Sequence, residues 1–271
     1  MEGFSDNVQY YGLIVSRLLG LLYVAPILST QTVTTRLRVT LALLLAFILF
    51  PATANYLPEL PSSTVGYGLA ILGQLFIGGI IGFMVLIIFT SFQVIGEILS
   101  LQMGISFSEV LDPQSNVSIP LLGTLKNTIG ILLFLAVPFQ MDGLYLPAYL
   151  HMIRAVGFSF QAVPQFLPTD QIAVGVIAYL DHAFKIMFIT AIKVGVPMVG
   201  ILFISSLTLG LLGRAAPQMN LISMGIPINI IVGLIVLATL IPVIVPLMGD
   251  VFHQLYSFMG EMFEVWPGSG S

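Results

Sequence analysis

Three carboxylates, Glu97, Glu109 and Asp112, fall within the stretch Gly96–Asn116, which reads GEILSLQMGISFSEVLDPQSN. Such groups can relay protons or ions, or satisfy backbone donors away from water. The same stretch holds Gly104 and Pro113 beside the apolar Met103, Ile105, Phe107, Val110 and Leu111. A loop built only for water needs no such apolar content. A span built only for lipid could not carry these carboxylates, because each costs roughly 2.5–3.5 kcal/mol at a bilayer centre. The stretch therefore reads as a re-entrant segment lining a protein-bounded passage, with the rest of the chain as its support.

The supporting chain is that of a membrane protein. Of its 271 residues 58% are hydrophobic and 7% charged, and the mean hydropathy is +1.07. Ordinary soluble domains carry about a quarter charged residues. The net charge of -4 is spread thinly with no run of Lys or Arg, which excludes a nucleic-acid surface. Cysteine is absent, so disulfides, thiolate nucleophiles and Cys-held metals are excluded. Glu2 and Asp6 are the wrong sign for a signal peptide, so the first apolar segment reads as a retained span.

Apolar runs of about spanning length occur near Val8–Leu28, Leu37–Tyr56, Tyr67–Phe92, Ile119–Phe139, Ile172–Leu212 and Pro227–Pro246. The expectation is an all-α integral membrane protein of about six helical segments. The fifth run is long enough for more than one crossing or a steep hairpin. Arg36, Arg38 and Arg214 lie in links that the positive-inside rule assigns to the cytoplasm, whereas Pro51–Gly66 has Glu59 and no base. Gly78 and Gly82 form a small-xxx-small pair, a packing signal for helices that approach closely in lipid. On the same predicted helix Gln93, Glu97, Ser100 and Gly104 recur at i, i+4, i+7 and i+11. That polar stripe, with Gln102 beside it, must meet water or polar partners.

The region Gln140–Asp170 has no clean span and is expected to hold short interfacial helices. Asp181 and Lys185, one helical turn apart, form a candidate intramembrane ion pair, and Lys193 lies two turns further on. The triplets Gly195-Val196-Pro197 and Gly225-Ile226-Pro227 could mark two antiparallel arms. Val251, Phe252, Leu255, Phe258, Met259, Met262 and Phe263 follow helical spacing, an amphipathic end suited to a partner or the interface. Residues 265–271 read as tail or linker.

Catalytic and cofactor patterns are missing. The histidines His151, His182 and His253 are far apart, and no zinc-protease, phosphate-loop or dinucleotide pattern occurs, so neither an enzyme nor a cofactor is expected. Two alternatives use the residues differently. Ser106 and His253 would be the dyad of an intramembrane serine protease, although Phe107 stands where that motif has glycine. Glu97, Asp112, Asp181, Lys185 and Lys193 would be the relay of an ion-coupled secondary transporter.

The pattern GE-x3-LQMG-x-SF followed by DP-x-S, together with LGLLGRAAPQMN and GIP within Leu209–Pro227, resembles the FliR family of the flagellar type III export gate. Its injectisome relatives are called SctT or SpaR. SRLLGLLYVAPILS at Ser16–Ser29 and RLRVTLALLLAFILFP at Arg36–Pro51 extend the similarity over almost the whole chain. The resemblance implies one export-gate domain over residues 1–264, similar to a FliP subunit over about 1–210 and to a FliQ hairpin over about 211–264. It implies assembly with FliP-type and FliQ-type subunits, with FlhA- and FlhB-type export components nearby. Unfolded flagellar substrates would pass through the channel. The location implied is the bacterial inner membrane at the flagellar basal body, with tilted hairpins and an assembly raised toward the periplasm.

By the same resemblance, the loop after LQMG is a channel plug. Carried onto this chain, the plug or gate is Gly104, Ile105, Ser106, Phe107, Ser108, Glu109, Val110, Leu111, Asp112 and Pro113. Apolar Ile105, Phe107, Val110 and Leu111 could close a narrow passage by excluding water. Gly104 and Pro113 could bound the loop, while Ser106, Glu109 and Asp112 satisfy its backbone or meet polar partners. Gln93, Glu97, Ser100 and Gln102 form the lumen-facing or subunit-contact stripe at its base. The methionine-rich gasket of such gates belongs to the FliP subunit, so Met103 and Met141 are not assigned that role.

Overall fold

The computed structural model describes residues 2–26, 33–53, 56–57, 60–61, 63–103, 134–135, 138–141, 143–164, 170–216 and 221–264. Six helices and one β-hairpin are found among them: α1 (Glu2–Val24), α2 (Thr35–Thr53), α3 (Thr64–Met103), β1 (Pro138–Met141), β2 (Leu144–Pro147), α4 (Ala148–Ala162), α5 (Asp170–Ala215) and α6 (Leu221–Glu264). Among the described residues four segments are long and apolar enough to cross a membrane: Thr35–Thr53, Thr64–Ser91, Val174–Ala215 and Pro227–Met262. The protein is thus an all-α membrane protein carrying one small hairpin.

Several expectations change. The run beginning at Val8 is helical as far as Val24, but Arg17 and neighbouring polar residues hold α1 below the hydropathy of the four spans. The fifth run is neither a hairpin nor two short crossings; α5 continues unbroken through Pro197 for 46 residues. Helix α6 likewise continues through Pro227, Pro242 and Pro246 for 44 residues. Both are about twice the roughly 20 residues that one crossing needs. The run Ile119–Phe139 falls almost entirely outside the described residues.

In place of interfacial helices alone, residues 138–162 form a β-hairpin leading into one helix. Strands β1 and β2 pair antiparallel with Met141 opposite Leu144, and Gly143 takes φ +76° at the turn. Asp142-Gly143 is a dipeptide suited to two-residue hairpin turns because such turns need positive φ. Helix α4 buries Ala148, His151, Met152, Ala155, Val156, Ser159 and Phe160, a stripe at 3.6-residue spacing.

The chain divides into two compact units. Unit 1 comprises 1–88, 134–184 and 252–271, and unit 2 comprises 89–133 and 185–251. In unit 1, α1 and α2 run antiparallel: the Tyr11 hydroxyl donates to the Leu43 carbonyl (2.6 Å), and the Arg38 guanidinium lies 5.3 Å from the Tyr23 ring centroid. Helices α1 and α3 run parallel, since the Tyr67 hydroxyl bonds the Gln9 carbonyl at one end and Gly82 faces Leu21 at the other. A Cβ at Gly78 would overlap the Arg17 carbonyl, and one at Gly20 would overlap that of Leu75. The small-residue spacing therefore lets the two backbones touch, as its sequence pattern predicts.

The amphipathic end of α6 is spent inside unit 1. Phe252, Leu255, Tyr256, Met259 and Met262 are buried, with Phe252 packed 5.9 Å from Phe134 and Tyr256 6.4 Å from His151. It is a core face of this chain, correcting the expectation of a partner or interfacial surface.

Candidate functional site

Helix α3 delivers the chain to the proposed plug. The helix runs without a break to Met103, so Gln93, Glu97, Ser100 and Gln102 all lie on it, as their spacing predicts. Gln93 and Glu97 are exposed and Gln102 is half-buried. The candidate plug residues Gly104, Ile105, Ser106, Phe107, Ser108, Glu109, Val110, Leu111, Asp112 and Pro113 lie outside the described residues.

The last residue of α3 is fixed in place. In unit 2 Met103 is fully buried in a cluster with Ala191, Val194, Met198 and Leu202 of α5 and Val236 and Ile244 of α6. Its terminal methyl group fills the space that a side chain at Gly233 would need, since a Cβ there would overlap Met103 Cε. A long unbranched thioether suits such an irregular gap. The residue just before the candidate plug segment is a packed anchor.

The partners of that anchor form an antiparallel hairpin. Ser205 on α5 donates to Asn229 Oδ1 on α6 (2.8 Å), Asn229 Nδ2 donates to Ser206 Oγ (3.3 Å), and Gly225 lies beside Leu209. This is the two-arm arrangement hinted at by the paired glycine-proline triplets. Interhelical amide and hydroxyl bonds of this kind help to set register where lipid gives helices little reason to associate.

A second polar centre lies in unit 1 and has no counterpart among the candidate site residues. Arg17 on α1 is 0% exposed. Its Nε donates to Gln74 Oε1 on α3 (2.7 Å), Nη1 to Ser159 Oγ on α4 (2.8 Å) and Nη2 to the Val163 carbonyl (2.6 Å). The guanidinium also lies 3.9 Å from the Phe160 ring centroid, a cation–π contact. Ser159 in turn donates to the Val156 carbonyl (2.7 Å), and Gln74 Nε2 to that of Pro164 (2.7 Å). The charge is thus held by neutral acceptors at the C-terminal end of α4, where the helix dipole favours a cation. The signal available in sequence was an arginine inside an apolar run, which is costly enough to demand partners.

Asp181, Lys185 and Lys193 are all exposed on α5 within the span Val174–Ala215. Exposed charge on a membrane-crossing helix calls for water or another polypeptide rather than lipid. Of the histidines, His151 is buried beside Tyr256, His182 stacks on Phe258 at 4.1 Å, and His253 is exposed. No group of three or more His, Asp or Glu side chains suited to a metal occurs among the described residues.

Residues 8–255 match the family described as Bacterial export proteins, family 1. The chain is 29% identical to the Flagellar biosynthetic protein FliR of Escherichia coli (strain K12) over 262 residues, covering 96% of this chain and 94% of the relative. It is 28% identical to the protein of the same name from Bacillus subtilis (strain 168) over 268 residues, 97% of each chain. The Aquifex aeolicus (strain VF5) protein of that name is 23% identical over 245 residues, covering 89% of this chain and 88% of the relative. Matches of this extent include α1 with Arg17, the end of α3 and the α5–α6 hairpin alike, and the chain belongs to the FliR family of bacterial export proteins.

Proposed function

We propose that this chain is the FliR-type subunit of a flagellar type III protein export gate, forming with FliP- and FliQ-type subunits the channel for unfolded substrates and helping to close it with the segment Gly104–Pro113. Family membership supports a membrane component of the flagellar export apparatus. The observation that carries the finer reading is the anchoring of Met103 in a packed cluster directly before that segment. A plug must be held at its base if a passing chain is to displace only its tip. Exposed Asp181, Lys185 and Lys193 on a long apolar helix support a hetero-oligomer, because these side chains want a lumen or a neighbour. The FliP-like and FliQ-like parts remain as assigned to about 1–210 and 211–264, although α5 runs on to Ala215. Contact with FlhA- and FlhB-type components and a location in the inner membrane at the basal body belong to the same reading.

The test is photo-crosslinking from Phe107 and Leu111 in assembled complexes carrying a substrate stalled in transit. Adducts to the substrate from both positions, absent from the exposed α2 position Phe47, are expected. No adduct in complexes that retain all their subunits would remove the loop from the export path.

A further inference from the structure

We propose that Ser205 and Asn229 are positioning residues for the base of the candidate plug: their hydrogen bond pins the register of α5 against α6, and that register presents the hollow at Gly233 to Met103. The inference rests on the reading of Gly104–Pro113 as a plug, which Met103 directly precedes. Along α5 the inner face carries Ala191, Val194, Met198, Leu202 and then Ser205. Along α6 it carries Asn229, Gly233, Val236, Leu240 and Ile244, again at spacings of three or four. Ser205 and Asn229 are the one polar layer among these positions, joined at 2.8 Å. A single amide in an otherwise apolar helical seam specifies register, because a shifted alignment leaves it facing apolar side chains. Gly225 beside Leu209, one turn along each helix, keeps the same alignment.

Met103 needs a glycine opposite it. It is fully buried in the cluster of Met198, Leu202 and Val236, and its Cε occupies the place of a Cβ at Gly233. Asn229 lies one turn before Gly233 on the same face of α6. A slip of α6 by one turn would put Asn229 or Leu237 where Gly233 now stands, and either side chain would expel the thioether. Packed elements shift past one another in such one-turn steps. An apolar residue at 229 would fill the same seam without opposing the slip.

The experiment compares the purified export complex with its Asn229→Leu variant by two readouts. The first is disulfide formation between introduced cysteines, the chain having none of its own. The pair Leu209→Cys with Gly225→Cys reports the native register. Leu209→Cys with Leu221→Cys, and Gly213→Cys with Gly225→Cys, report a one-turn slip in either direction. The second is the rate at which hydrogen peroxide converts Met103 to its sulfoxide, followed by peptide mass spectrometry. Asn229→Leu is expected to raise a slipped disulfide relative to the native one, and Met103 oxidation with it, each about fivefold, the shift equivalent to losing one neutral hydrogen bond. Ser205→Asn combined with Asn229→Ser rebuilds the polar layer with its partners exchanged and is expected to return both readouts to the parent values. If Asn229→Leu does not assemble, Ser205→Ala, which removes only the donor, is expected to shift both in the same direction. Unchanged readouts would overturn the proposal. So would faster Met103 oxidation without a slipped disulfide, because Asn229 would then support the fold without setting register. Neither readout involves conductance, so the plug reading and this one fail separately.

Discussion

Arg17 has no slack in its surroundings. A buried hydrogen bond to a charged group contributes about 1.5–3 kcal/mol, and breaking a buried charge's pairing costs about 3–5 kcal/mol. Gln74→Leu removes the acceptor of Arg17 Nε and the Nε2 donor that now reaches the Pro164 carbonyl, leaving both groups unpaired, so it should destabilise the folded chain by about 2–3 kcal/mol. Arg17→Lys should cost as much or more, because an ammonium cannot span Gln74, Ser159 and Val163 together or stack on Phe160. Thermal unfolding of the complex in detergent would measure both. A lysine variant as stable as the parent would mean that the fork is incidental.

Among elements, the parallel crossing of α1 and α3 depends on missing side chains. Gly78→Ala should drive a methyl group into the Arg17 carbonyl and cost about 1–3 kcal/mol, whereas Gly68→Ala, with open space around it, should be neutral or stabilise by up to about 1 kcal/mol. Unfolding midpoints of the two variants, compared side by side, separate packing from helix propensity. Gly233→Ala should displace Met103 and shift the start of the plug segment; its expected signature is altered protease cleavage near Gly104 in an otherwise assembled complex. Unchanged cleavage would mean that the Met103 socket does not set the loop. The small-xxx-small pair at Gly78 and Gly82 was legible in sequence because membrane helix packing leaves a periodic mark. The hairpin at 138–147 was missed, because the aromatic and proline content of Gln140–Asp170 suggested interfacial helices, although Asp142-Gly143 is a dipeptide that suits a hairpin turn. The destination of the α6 face at Phe252–Met262 was not legible, since periodicity reports that a face is buried without saying against what.

For the whole molecule, hydropathy gave the membrane class and the long segments, including nearly the full extent of α5, while the continuity of α5 as one helix and the length of α6 beyond Pro246 escaped it because internal prolines resemble boundaries. Arg17 escaped the functional reading because its partners Gln74 and Ser159 lie 57 and 142 residues away in sequence. The stripe at Gln93 and Glu97 and the exposed Asp181 and Lys185 give the assembly its own prediction. Lys185→Asp should lower recovery of co-purified subunits, and adding Asp181→Lys should restore it if the two residues form an ion pair; failure to restore would assign Lys185 to a subunit contact. The central claim is that Gly104–Pro113 seals a channel. Its most direct test is the ionic conductance of the inner membrane in cells whose chain lacks residues Ser106–Ser115, with the abundance of the complex and its co-purifying subunits followed alongside. A raised leak from an intact assembly is the predicted result, and an unchanged conductance from an equally intact assembly would contradict it and leave the chain as a scaffold.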